Sequence, residues 1–422
     1  MKLSEIDATL REIRVSPIKT LGQNFLHDRN LARWIIERAE LTADDFVIEI
    51  GPGLGALTEF ILAAGARVLA IEKDGRLADF LRTRFAKERL EIFHADALDY
   101  DVRKLFAWPR VKLIGNLPYY ISSQLLLQFT KYPSPIHLWL LMLQKEVARR
   151  ISAAPGSSDY GSLSLAVQLH YRVEYLRTVP ASVFLPRPEV DSAFVRITPR
   201  ADNELPDCDA EIFAHLVRRG FSQRRKQLRN LLRDEVTDWD AASSGVGFDA
   251  RARAEELSLL QWIALSNFVA PAHGAEEIST ATEMFPVVDE NDRFLRAAAR
   301  EEVHGNNLCH RAVHILIFNA RGELFLQKRS RWKDRHPHLW DSSAAGHVGV
   351  GEDYDAAALR ELEEELGVTT GLTCIGQLPP SEKTGQEFIA IYRARHDGPF
   401  RLARSEIEYG EFFPTEIVAS WT

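Results

Sequence analysis

The chain has 422 residues, 45% hydrophobic and 27% charged, which exceeds the size of one hydrophobic core and predicts two or three domains. No apolar run approaches the roughly 20 residues of a membrane helix, and the opening MKLSEIDATLREIRV lacks the apolar core of a secretion signal; Cys208, Cys309 and Cys374 show no CxxC spacing, which argues against a disulfide framework or zinc knuckle. A cytoplasmic protein is expected, and its net charge of -8 is uneven: residues 1–272 hold 36 Lys+Arg against 35 Asp+Glu, residues 273–422 hold 16 against 25, so a polyanion is expected to dock on the first part.

Through about residue 145 the apolar runs FVIEIGPG, RVLAIEKD, LEIFHAD and VKLIGNLPYY alternate with helical patterns. This β-α order predicts a parallel sheet with helices on both faces. Gly51, Gly53 and Gly55 follow the first strand and precede the helical ALTEFILAAG, where backbone must approach a nucleotide and a helix N-terminus faces it. Glu72 ends the second strand, 21 residues after Gly51, and suits ribose hydroxyls; Asp96 ends the third and Asn116 the fourth. All four positions fall at the carboxyl edge of one sheet, where open α/β folds bind ligands. The GPGLG form, with Glu49 ahead of it and no phosphate-binding lysine, resembles an S-adenosylmethionine site.

Asn116 to Tyr119 read NLPY, which resembles the (D/N/S)PP(Y/F) element of methyltransferases that act on exocyclic base amines. The lone pair of an adenine amine is delocalised into the ring. Acceptors from the Asn116 side chain and the Leu117 carbonyl can bind its hydrogens and localise that pair, while Tyr119 stacks on the base; the chemistry needs positioning more than a strong base.

Together with LGQNFL at Leu21–Leu26, VFLPRPEVDSAFVRI at Val183–Ile197 and GFSQRRKQLRN at Gly220–Asn230, these motifs resemble the small-subunit ribosomal RNA adenine dimethyltransferases over about residues 15–270. The resemblance implies a Rossmann-like α/β S-adenosylmethionine-dependent methyltransferase sheet with a small all-α subdomain. It implies that Asn24, Leu26, Gly51, Gly53, Glu72, Asp96 and Asn116 line the cofactor pocket, and that Phe184 stacks on an extruded adenine opposite Tyr119. It also implies that Arg224, Arg225, Lys226 and Arg229 contact RNA; they belong to Arg218–Arg233, which carries seven basic residues and no acidic one. Large-subunit methyltransferases of the macrolide-resistance type are the rival, but their glycine loop typically carries lysine where Leu54 stands. An assembly factor without catalysis is the other alternative, against which intact Asn116 and Tyr119 argue.

From about 205 to 270 strand signals vanish and AEIFAHLVRRGFSQRRKQLRNLL and AEELSLLQWIALSNFV read as helices. PAHGAEEISTAT, Pro271–Thr282, reads as a linker. The expected divisions are therefore 1–200 for methyl transfer, 201–270 for RNA contact, 271–282 for the linker and 283–422 for a second enzyme.

That second enzyme is announced by GHVGVGEDYDAAALRELEEELGV, Gly346–Val368, where nine positions fit G-x5-E-x7-REUxEExGU, the pattern of the Nudix box. Glu361, Glu364 and Glu365 at i, i+3, i+4 share a helix face suited to Mg2+ or Mn2+; Leu359, Leu362 and Leu366 are expected to anchor the opposite face. Gly346 permits a loop, Arg360 orients Glu361, and Glu352 is a supporting or ligating carboxylate. An α/β/α sandwich hydrolysing a diphosphate-containing small molecule follows from this resemblance. The surrounding HRAVHILIFN to WDSSAAGHV resembles the isopentenyl diphosphate isomerase branch, with His304, His310, His347, Glu406 and Glu408 near that branch's metal-ligand positions. The isomerase cysteine has no counterpart, so hydrolysis is favoured.

Overall fold

In the strands Phe46–Ile50 (β1), Arg67–Glu72 (β2) and Val111–Asn116 (β4), nearly every side chain is buried, as expected of a sheet covered on both faces. A computed structural model describes residues 3–17, 22–86, 89–119, 121–131, 133–201, 204–269, 283–330, 333, 336–382, 384–403 and 405–421. The expected linker at 271–282 lies outside them, as do Leu21 and Tyr120 of the quoted motifs. The chain forms two compact units, Met1–Pro271 and Ala272–Thr422. Among the described residues no helix is long and apolar enough to cross a membrane.

In the first unit, β1, β2, Leu90–His94 (β3), β4, Ile136–Gln144 (β5), Tyr171–Val179 (β6) and Ser192–Pro199 (β7) build one sheet in the order β3-β2-β1-β4-β5-β7-β6. The first five strands of that order run parallel and β7 is reversed against both neighbours. Successive residues feed opposite cores. Ile48, Ile50, Leu113 and Leu141 pack on one side, and Val47, Val68, Ile114 and Leu140 on the other. Strand order reverses between β1 and β4, which opens a crevice at their carboxyl ends.

Between 205 and 270 the helices are Ala210–Gly220, Leu228–Leu231, Trp239–Val246 and Leu259–Val269. The long helix read through AEIFAHLVRRGFSQRRKQLRNLL is thus interrupted at residues 221–227. Phe221 leaves the helix to stack on Trp262, ring centroids 5.9 Å apart. This helical core also takes in Ala153, Tyr160 and Leu165 from the segment after β5.

The second unit holds the hairpin Met284–Val288 (β8) and Phe294–Ala299 (β9) and a mixed sheet. Its strands are His310–Phe318 (β10), Leu324–Arg329 (β11), Trp340–Asp341 (β12), Ala344–His347 (β13), Thr373–Leu378 (β14), Glu387–Arg395 (β15) and Ile407–Phe413 (β16). The order is β12-β11-β10-β15-β14, with β13 also on β10 and β16 on β11. The Tyr354–Leu366 helix covers one face through Ala357, Ala358, Leu362 and Leu366, against Val313, Ile315 and Phe325. Leu359 was expected in that stripe but is 44% exposed. Positions 358, 362 and 366 already complete an i, i+4, i+8 row, and residue 359 is turned about 100° from 358.

Candidate functional sites

At the carboxyl edge of β1 the chain turns through Gly51 and Gly53, with φ of +64° and +58°, the left-handed region that glycine enters without strain. The ring of Phe25 lies 3.1 Å from where a Cβ on Gly53 would sit, so the loop is pressed between strand and aromatic. The Gly53 N–H donates to Glu72 Oε2 at 3.2 Å, and the Asp74 N–H to Glu72 Oε1 at 2.9 Å. Burial nevertheless raises the Glu72 pKa above its ordinary value. Asp96 goes the other way. Burial opposes its charge, but Lys73 Nζ at 2.6 Å and the Leu98 N–H at 3.0 Å together hold it low.

Asn24, Gly51, Gly53, Glu72, Asp96 and Asn116, all expected at a cofactor pocket, line one cavity. Leu26 lines an adjoining cavity that shares Asn24, Gly51, Gly53 and Asn116. The sequence reading missed Gln23, Phe25, Ile71, Lys73, Ala97 and Ile121 as further lining. Ile71, Lys73 and Ala97 are sequence neighbours of Glu72 and Asp96, which was the available signal. The cavity offers carboxylates to hydroxyls at one end, apolar walls to a heterocycle, and Asn116 at the other.

Asn116 Nδ2 donates to the backbone carbonyl of Asn24 at 3.1 Å. A two-residue antiparallel pairing, Phe25 with Leu185 and Leu26 with Phe184, brings that segment in. Leu117 is buried, its N–H bonded to Met142 O at 3.1 Å. The Tyr119 hydroxyl lies 2.6 Å from Ser192 Oγ, and burial raises its pKa. Phe184 is only 3% exposed, packed with Leu26 and Phe194. In this conformation it serves as a core aromatic, and it is not among the residues lining either cavity.

Arg224, Arg225 and Lys226 sit in the 221–227 turn rather than on a helix face. Arg224 is engaged within the protein: it donates to Glu255 Oε2 at 3.0 Å, to Ser158 O at 2.6 Å and to Tyr160 O at 3.3 Å. Arg225 and Lys226 are exposed. Arg229, on the next helix, is 3.7 Å from Asp240.

In the second unit Arg360 is a hub. It reaches both Glu352 oxygens at 3.0 Å, Glu361 Oε1 at 2.7 Å, Glu364 Oε2 at 3.1 Å and His347 O at 3.0 Å. Glu361 and Glu365 are brought together inward, while the Glu364 side chain is 60% exposed at the rim. Burial pushes the Glu365 pKa up to about 8, reinforced by Glu361, although the Ala345 N–H at 3.0 Å and Gln327 Nε2 at 3.1 Å bind it. Two inward carboxylates that repel one another fit a divalent cation with oxygen preference.

Beside this lies a second cluster. Ligand atoms of His304, His310 and His347 fall within 4.8 Å of one another. Glu387 Oε1 is 3.4 Å from His310 Nε2 and 3.5 Å from His347 Nε2. Glu406 and Glu408 were expected there; instead Glu406 contacts Lys333, and Glu408 meets Lys328 at 3.7 Å and His338 at 2.9 Å. Parallel pairing of β10 with β15 sets His310 opposite Glu387, a register that local sequence does not reveal.

A doubly wound sheet with an acidic, glycine-turned cavity and NLPY at its switch point, followed by a sheet carrying a glutamate helix, defines a two-enzyme chain: a base methyltransferase and a Nudix domain. Residues 17–271 match the ribosomal RNA adenine dimethylase family and residues 309–421 match the NUDIX domain. The chain belongs to the ribosomal RNA adenine dimethylase family and carries a C-terminal Nudix domain. It is similar to the ribosomal RNA small subunit methyltransferase A of Geobacillus thermodenitrificans, 40% identical over 266 residues, 60% of this chain and 91% of that protein. The protein of that name from Psychrobacter cryohalolentis is 42% identical over 272 residues, 62% of this chain and 94% of its own. A crystal structure of a dimethyladenosine transferase from Plasmodium falciparum is 26% identical, covering 57% of this chain and 95% of that one, with a TM-score of 0.48.

Proposed function

We propose that the first unit places two methyl groups on the exocyclic amine of adenines in small-subunit ribosomal RNA, acting on an immature subunit in the cytoplasm. The observation that carries this is the Asn24–Asn116 bond. With Nδ2 occupied, the carboxamide oxygen of Asn116 is the end left to accept an amine hydrogen at the mouth of the cavity. S-adenosylmethionine, when bound, supplies an electrophilic methyl group; Asn24, Leu26, Gly51, Gly53, Glu72 and Asp96 are the residues to hold it. Asn116 and the Leu117 carbonyl draw the amine hydrogens so that the nitrogen lone pair points out of conjugation. Tyr119 offers its ring as a stacking platform, and Phe184 takes the opposite side once its packing opens. Arg225, Lys226 and Arg229 meet RNA phosphates, with Arg224 bracing the turn that carries them. Transfer of labelled methyl groups to small subunits with unmodified adenines tests this reading; product lacking dimethyladenine contradicts it.

For the second unit we infer hydrolysis of a diphosphate-containing small molecule with Mg2+ or Mn2+. Such a cation, when bound at Glu361, Glu364 and Glu365, neutralises the diphosphate and lowers the pKa of attacking water. Arg360, held by Glu352, keeps Glu361 turned inward. The His304, His310, His347 and Glu387 cluster supports a second cation that accepts imidazole nitrogen, such as Zn2+. Ala344 and Ala345 stand before His347, which supports hydrolysis over thiol-dependent isomerisation. Phosphate release from a panel of nucleoside diphosphate derivatives is the test; interconversion of isomers with no phosphate released would overturn the assignment.

A further inference from the structure

Ser192 is fully buried as the first residue of β7, opposite Gln144 of β5 and Val179 of β6. Its Oγ is 2.6 Å from the Tyr119 hydroxyl. The preceding residue is clamped twice: Asp191 Oδ1 accepts the Ala181 N–H at 3.1 Å, and Asp191 O accepts the Lys145 N–H at 3.0 Å. Lys145 Nζ adds a weak charge contact at 4.0 Å. Ala181 opens the turn Ala181–Val183 that delivers Phe184.

A tyrosine side chain on a strand-ending turn has two soft torsions; its hydroxyl oxygen lies on the χ2 axis, so a contact there stops the side chain from swinging about χ1. The contact atom here sits on backbone that is itself tied to two other elements. The same dipeptide therefore fixes the far end of Tyr119 and the turn leading to Phe184. We infer that Asp191–Ser192 is a positioning dipeptide for adenine methylation, with the Ser192 hydroxyl anchoring the outer end of the Tyr119 side chain so that its ring stays beside the target base. The inference rests on the reading that Tyr119 stacks on the target base. A ring free to swing still permits binding but lowers the fraction of encounters in which the amine meets the methyl donor in line. Ser192 touches no substrate and acts through Tyr119.

The test compares the full-length protein with its Ser192→Ala, Tyr119→Phe, double and Tyr119→Ala variants, on small subunits with unmodified adenines. Tyr119→Phe keeps the ring and deletes the opposite end of the same bond. Each of the two conservative variants is expected to lower kcat by about five- to tenfold, the scale of one neutral hydrogen bond. KM for the subunit and S-adenosylmethionine affinity stay unchanged. The double variant is expected to fall no further, since one interaction is removed twice. Losses that multiply, a Ser192→Ala enzyme at the full rate, or a defect confined to cofactor affinity would overturn the inference. Should Ser192→Ala lower Tm, Tyr119→Phe at unchanged Tm carries the test alone. Full activity in Tyr119→Ala would instead remove the stacking reading itself.

Discussion

The side-chain amide of Asn116 donates to the backbone carbonyl of Asn24 at 3.1 Å, and the Asn24 amide in turn reaches Gly22 O at 3.1 Å. The bond decides which end of Asn116 faces outward. Asn116→Asp keeps size and shape but sets a carboxylate against the Asn24 carbonyl. Methyl transfer is expected to fall by about 100-fold or more, as for loss of a preorganised polar contact at a reacting centre. Retained subunit binding with lost turnover, read by filter binding and methyl incorporation, is the expected pair of results.

Gly346→Ala tests the second unit. Gly346 lies within strand β13 and not in the expected loop; a Cβ there would overlap the Glu361 carboxylate, so Glu361 must leave its place beside Arg360. Phosphate release is expected to drop by about 10- to 100-fold, the range for disturbed support of a metal ligand, while methyl transfer is unchanged. Parallel assays on one preparation check both halves.

Glu49 gives a pH signature. It is 2% exposed and accepts from Thr58 Oγ1 at 2.7 Å, and burial, with Glu72 nearby, pushes its pKa up to about 8 from 4.5. The folded state therefore binds a proton that the unfolded chain has released. Stability from this group is full below about 4.5 and is lost as pH rises toward 8. In Glu49→Gln that loss disappears, so the Tm advantage of the variant over wild type should grow from pH 5 to pH 8. A shrinking advantage contradicts the assignment.

The basic turn separates into two roles. Arg225→Ala and Lys226→Ala should each weaken RNA binding and reduce the slope of log K against log salt by about one, with Tm unchanged. Arg224→Ala breaks the bonds to Ser158, Tyr160 and Glu255 and should lower Tm as well. Filter binding across a salt series, beside thermal melts, distinguishes them.

Much of the first site was legible because its residues stand at strand ends. An apolar run followed by Gly51, Glu72 or Asn116 locates the carboxyl edge without any knowledge of pairing. What the sequence hid depends on contacts distant in the chain. Leu26 is brought to Phe184 by a short strand pair, and the Tyr119–Ser192 contact spans 73 residues. Glu387 joins His310 through the register of β10 and β15, whereas Glu406 and Glu408, which the resemblance points to, lie beside Lys333 and Lys328. Leu359 failed for a local reason: the small residues Ala357 and Ala358 fill the stripe beside the sheet, and a reading that favours large side chains passes over them.

The central claim, that the Asn24–Asn116 cavity is where adenine receives its methyl groups, is tested most directly by mass spectrometry. Ribosomal RNA from unmethylated small subunits is digested after incubation with the protein and S-adenosylmethionine. Wild type is expected to yield dimethyladenosine, and Asn116→Ala none, although the variant still binds the subunit. Equal dimethyladenosine from the two proteins would contradict it.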